Sequence, residues 1–268
     1  MMAPRLTHRG FTLIELVVSI AVSGIVVVFA SLFIKTPIDA YLSQSRHAEL
    51  LDSLGAAWPQ IERDIHTALP TSVRASRNGS VVALEMMTAV ASAHYLSDPR
   101  TASFNAAGVI NPPPGQYYLS INNTTPYNSF ATQMTPANRT LTFIPNVATN
   151  EVTIGVSPLF NFASLSPVSH AYLVYSHPIT YLCNETTGTI QRYSEYTLAP
   201  AQTSRDTDAK LMAAGAVRTV VAGNMTSCNF QALAETATQG QVVAMRITAT
   251  RNGEPVSALF QAAVEKLQ

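Results

Sequence analysis

Glu15 is the residue whose chemistry most needs explaining. It is the one charge in a run of 24 residues from Phe11 to Ile34 (FTLIELVVSIAVSGIVVVFASLFI). A carboxylate inside an apolar helix costs on the order of 2–3 kcal/mol near a bilayer centre, and such groups usually serve a function. The chemistry open to this one is charge pairing. A cut between Gly10 and Phe11 would leave Phe11 with a cationic amine one helical turn from Glu15. Where such helices pack side by side in a dry core, Glu15 of one copy can meet that amine on a neighbour. A displaced register leaves the acid unpaired in hydrocarbon, so the pair specifies alignment more than it adds stability. An acid near a helix start also gains about 0.3–1 kcal/mol from the macrodipole.

The other reactive side chains form no comparable pattern. Cys183 and Cys228 lie 45 positions apart with no CxxC pairing, which excludes a zinc ribbon or a thioredoxin-like centre. In an oxidising compartment the pair forms one disulfide, worth roughly 4 kcal/mol for a loop of that length. In the cytosol they are two small buried thiols. The six histidines (His8, His47, His66, His94, His170 and His177) include no HExxH or other i,i+4 pair. His170 and His177, seven apart in a strand-like run, face opposite sides of a sheet. Asp206-Thr207-Asp208 hints at a calcium loop but lacks its glycine and bidentate glutamate, so it reads as a solvated turn. There is no GxSxG elbow, P-loop or GxGxxG. Asn78, Asn138, Asn184 and Asn224 stand in Asn-x-Ser/Thr triplets expected by chance, and Asn184 reads as a turn residue. Tyr117, Tyr118, Tyr127, Tyr193 and Tyr196 suit either an adhesive surface or core packing. The expectation is a protein with no catalytic residues, no metal site and no cofactor.

Glu15 must be held by a membrane-scale element. As a helix, Phe11–Ile34 spans about 36 Å, enough to cross a hydrocarbon core of about 30 Å. Arg5 and Arg9 precede it with no acid nearby, which keeps the first ten residues cytoplasmic and sends everything after Lys35 across. Three readings compete for this segment: a plain signal anchor, a secretory signal cleaved after Ala30, and a leader cut between Gly10 and Phe11. Only the third uses Glu15. Without residues 1–10 the chain carries 14 basic against 16 acidic residues, so no broad electrostatic grip on nucleic acid or anionic lipid is expected. The composition, 47% hydrophobic and 12% charged, supplies a core and excludes wholesale disorder.

Downstream, Pro37 is expected to kink the helix rather than end it. Leu51, Leu54, Trp58, Ile61, Ile65 and Leu69 recur at spacings of three and four, giving an amphipathic stalk. Pro59 is expected to bend it and Pro70 to stop it. Short runs rich in β-branched and aromatic residues come next: Val81–Leu84, Tyr117–Ile121, Thr140–Ile144, Val152–Val156, Ala171–Tyr175, Ile179–Leu182 and Val242–Thr248. Pro112–Gly115, Asn122–Pro126 and Pro136–Asn138 break them up. The last strand turns at Asn252-Gly253 into a hairpin. Residues 200–216 read as an exposed loop or a short helix. The predicted organisation is residues 1–10 as leader, 11–34 as transmembrane helix, 35–69 as amphipathic stalk and 70–268 as β-rich head.

Gly10-Phe11-Thr12-Leu13-Ile14-Glu15 resembles the type IV prepilin cleavage and methylation motif without a departure, and the likeness extends over about the first 30 residues. It implies cleavage after Gly10 by a prepilin peptidase, N-methylation of Phe11, and docking of subunits through Glu15. The general plan resembles the pilin fold: α+β, with a long N-terminal helix packed on an antiparallel β-sheet head. Pro37–Asp52 (PIDAYLSQSRHAELLD), Arg63–Arg74 (RDIHTALPTSVR) and ITYLCNETTGTIQRY around Cys183 resemble the MshO-type minor pilins of the mannose-sensitive haemagglutinin (MSHA) pilus. PilW-type minor pilins and the J-type pseudopilins of type II secretion are near relatives of that group. Residues from about Met87 to Asn161 match nothing. The resemblance implies other pilin and minor pilin subunits, the prepilin peptidase, the inner membrane and its assembly platform as partners. It implies residence in the inner membrane before assembly, then in the pilus. Binding of nucleic acid or glycan by the head is an alternative role.

Overall fold

The computed structural model describes residues 12–69, 71–97, 103–107, 118–120, 143–146, 151–154, 171–233, 241–251 and 254–264. The chain divides into two compact units, Met1–Glu49 and Leu50–Gln268. It is α+β: an N-terminal apolar helix followed by antiparallel sheets, a pilin-like layout. Helix α1 covers Leu13–Gly55 and contains Pro37. The helix runs on through this proline, which removes one backbone donor but does not end the ladder.

The stalk expected to run unbroken to residue 69 is instead two helices, since α2 begins afresh at Trp58 and ends at His66. Gly55 is a poor helix former. Pro59 stands in the first turn of α2, where its missing N–H costs nothing, so it starts a helix rather than bending one. The interruption also moves the buried stripe. Leu51 is 47% exposed, while Leu50, Trp58, Ile61, Ile65 and Leu69 are buried. Residues after His66 leave the helix because β-pairing claims them: Leu69 N–H donates to Met87 C=O at 2.6 Å and Ala89 N–H to Thr67 C=O at 2.7 Å. Pro70, the expected stop, lies outside the described residues.

Among the described residues, nine strands form the main sheet: β1 (Arg74–Asn78), β2 (Val81–Tyr95), β3 (Ser103–Ala107), β4 (Tyr118–Ser120), β5 (Phe143–Asn146), β6 (Glu151–Ile154), β7 (Ala171–Asn184), β8 (Thr189–Ser194) and β9 (Val217–Ala222). Their order is β5-β6-β3-β2-β7-β8-β9, with β1 also paired to β2 and β4 to β7. β10 (Ser227–Leu233), β11 (Val242–Arg251) and β12 (Glu254–Ala263) form a second sheet in that order. Five strands, β1, β3, β8, β9 and β10, are not expected from the pattern. Ala171–Tyr175 and Ile179–Leu182, expected as separate strands, are one strand running through Pro178. Pro178 stands opposite Met87, and the ladder shifts register between Met87 and Ala89, where a residue without an N–H cannot complete it. The final hairpin closes at Arg251↔Glu254. Its two connecting residues, Asn252 and Gly253, lie outside the described residues, as do the predicted breaks at Pro112–Gly115, Asn122–Pro126 and Pro136–Asn138. Residues 200–216 hold both a 3-10 turn (Gln202–Ser204) and a short helix, α3 (Asp208–Ala213).

The first half of β2 is buried on both faces. Val82, Leu84 and Met86 face α2 and the inner side of the small sheet, packing among Ile61, Ile65, Tyr181, Phe230 and Met245. Ala83 looks the other way, into a smaller cluster with Leu182, Tyr193, Tyr196 and Leu211. Tyr193 and Tyr196 are therefore fully buried core residues, which removes them from the candidate adhesive surface.

Polar ties fasten both covers. On one face, Asp64 of α2 accepts from Tyr181 Oη at 2.6 Å and from Arg192 Nε at 2.8 Å. On the other, Arg74, Glu85 and Thr180 stand in one row across β1, β2 and β7. Glu85 is wholly buried, 2.7 Å from the Arg74 guanidinium, and accepts from Tyr196 Oη at 3.1 Å. Arg74 also donates to the carbonyls of Ala199 and Pro200, pinning the segment that covers this face. A buried carboxylate is tolerable only when paired in this way. A disulfide joins Cys183 of β7 to Cys228 of β10 and so links the two sheets. Gln241 adds a side-chain imitation of strand pairing, accepting from Val73 N–H at 3.2 Å and donating back to Val73 C=O.

Two measurements check this account. Gly188 has φ +64°, and a Cβ there would lie 2.6 Å from the Met225 carbonyl oxygen, whereas Gly215 (φ +85°) faces open space. Gly188→Ala is expected to cost roughly 2 kcal/mol or more, and Gly215→Ala clearly less because it bears only the backbone strain. Urea midpoints in detergent micelles compare them, and equal losses would contradict the close approach.

Burial, then the charge and hydrogen bond of Asp64, push the Tyr181 phenol well above its ordinary value. Burial and Asp208 do the same to Tyr193. The folded state thus keeps protons that the unfolded chain releases above about pH 10, so their stabilisation is present below that pH and is lost as pH rises further. The urea midpoint is expected to fall above about pH 10, and less steeply in Tyr181→Phe than in the wild type.

Candidate functional site

The strongest chemical singularity lies at the start of α1. Thr12 caps the helix: its Oγ1 accepts the Glu15 N–H at 3.3 Å, and its carbonyl accepts the Leu16 N–H at 3.2 Å. Thr12-x-x-Glu15 has the spacing of a capping box, a signal present in the sequence that hydrophobicity alone does not register. Glu15 consequently stands in the first helical turn, at the positive end of the macrodipole. Its side chain is exposed, and among the described residues none pairs with its carboxylate.

Around this acid the helix is apolar on every side. Leu13–Ser31 is long and apolar enough, by length and composition, to cross a membrane, and none of it is buried within the chain. Ile14, Leu16, Val17 and Phe29 all stand more than half exposed. The serines within the run are satisfied locally: Ser19 Oγ donates to Glu15 C=O and Ser31 Oγ to Val27 C=O, each at 2.7 Å. Each large apolar side chain left in water forgoes about 1.5–3 kcal/mol. Such a surface calls for lipid or another apolar helix against it. Gly10 and Phe11, the expected cleavage pair, lie outside the described residues.

The side chains of Asp206, Asp208, Asn184 and Glu185 are occupied structurally. Asp206, expected in a solvated turn, is buried; it bridges Lys210 Nζ at 2.6 Å and Asn78 Nδ2 at 3.1 Å. Asp208 accepts from Tyr193 Oη at 2.6 Å and from Arg218 at 3.2 Å. The two carboxylates are drawn to different partners and do not converge. Asn184 ends β7 and shapes the turn after it, its Oδ1 accepting the N–H groups of Thr186 and Thr187. Beside the disulfide, Arg77 hydrogen-bonds Glu185 and holds its carboxyl below the usual range, outweighing partial burial. Arg77 also donates to the Cys228 carbonyl at 3.0 Å. Among the described residues no group of three or more His, Cys, Asp or Glu side chains could hold a metal ion. His8, His170, Asn138, Tyr117 and Tyr127 lie outside the described residues. The polar contacts of Asp64, Arg74 and Glu85 escape sequence reading because they join residues up to 128 positions apart.

Residues 5–31 match the family model of the prokaryotic N-terminal methylation motif. The matched stretch contains Gly10, Phe11 and Glu15, and its last residue is also that of the membrane-length apolar segment. No curated protein and no solved structure was found to match the chain.

The cap is open to test. Thr12→Ala is expected to weaken the start of α1 by about 1 kcal/mol, seen as roughly fivefold faster amide exchange at Glu15 and Leu16 in micelles. Thr12→Ser keeps the acceptor and should leave exchange unchanged; equal rates in all three proteins would remove Thr12 from this role.

Proposed function

We propose that this chain is a type IV pilin-like subunit, a minor pilin or pseudopilin that enters a filament through α1 and acts structurally rather than as a catalyst. The observation that carries the reading is an apolar helical span, Leu13–Ser31, with no buried residue and one carboxylate in its first turn, within a stretch that matches the methylation motif. In this reading residues 1–10 are a leader held in the cytoplasm. A prepilin peptidase cuts between Gly10 and Phe11 and methylates the new amine. Residues 11–34 then anchor the subunit in the inner membrane, the remainder of α1 to Gly55 forms the stalk, and α2 with the sheets forms a head outside the membrane. On assembly, α1 exchanges lipid for the helices of other pilin and minor pilin subunits at the membrane platform. Glu15 meets a neighbour's Phe11 ammonium and sets the axial register, since any other register strands the acid.

Within this class we assign the chain to the minor pilins of MSHA-type pili, with a part in filament initiation or at the tip. Support comes from the segments resembling MshO-type proteins, two of which also meet in space. Asp64, from RDIHTALPTSVR, binds Tyr181 and Arg192, both from ITYLCNETTGTIQRY.

Two experiments test the proposal. Mass analysis of the mature protein should find a chain that begins at Phe11 with one added methyl group; a start at Ser31, or an uncut chain, overturns it. Glu15→Val should be processed normally yet recovered from sheared filaments at roughly a tenth of the wild-type level or less, corresponding to about 1.4 kcal/mol of lost alignment. Wild-type recovery of that variant would remove Glu15 from assembly.

A further inference from the structure

No further inference is drawn: the strongest candidate, the outer strand β9 of the main sheet with Val217 and Val220 exposed along it, is an apolar edge for which nothing in the structure shows what covers it.

Discussion

An apolar helix of membrane length with no residue buried among the described residues must find cover, and this constraint governs Leu13–Ser31. Leu13–Ser31 has no buried residue within the chain. Lipid and neighbouring apolar helices both meet the need for cover, and hydrophobicity alone does not choose between them. Glu15 does choose. Lipid offers a carboxylate no partner, whereas a packed bundle of helices with free amino termini offers an ammonium at one depth only. On that proposal, a group that lowers the stability of the anchored state adds specificity to the assembled one. Thr12 contributes by fixing where the helix starts, which keeps Glu15 in the first turn.

The head solves a different problem with ordinary means. Its central strand β2 is covered on both faces, by α2 and the small sheet on one side and by the segment after β8 on the other. Each cover is clasped by an acid pointing into the sheet or out of it: Asp64 reaches from α2 to Tyr181 and Arg192, and Glu85 reaches from β2 to Arg74 and Tyr196. Such pairs add little net stability over apolar packing but strongly penalise misalignment. They act on the placement of the covers as Glu15 is proposed to act on the placement of subunits. The disulfide and the Gln241–Val73 amide pair then bind the small sheet at two further points.

Differences between pattern and structure trace to identifiable causes. Pro59 reads as a bend because proline inside a periodic run usually kinks it, but Gly55 has already ended the helix and made Pro59 a first-turn residue. Leu51 fits the periodicity of one helix and is exposed in the structure, because the break lets Leu50 take the buried position. β1 (RASRN) and β10 (SCNFQAL) carry too few β-branched residues to announce themselves, and they form because neighbouring strands present them with open backbone partners. Tyr193 and Tyr196 could not be assigned to surface or core from spacing, since the segment that buries them offers one large apolar residue to the cluster, Leu211, beside the small Ala214 and Ala216.

By itself the sequence determined the membrane-length helix, its lone acid, the motif around Gly10 and Phe11, and the β-rich character of the head. These are local properties, written in composition and in residues a few positions apart. Only the tertiary structure decided that α2 is a separate helix, that Pro178 lies inside one long strand, and that Cys183 and Cys228 face each other across two sheets. It also decided that Glu85 and Asp206 are buried in polar contacts rather than solvated. Those outcomes depend on which distant segments reach a residue first, and burial turns a charge from a solvated surface feature into a structural constraint only once its partner has arrived.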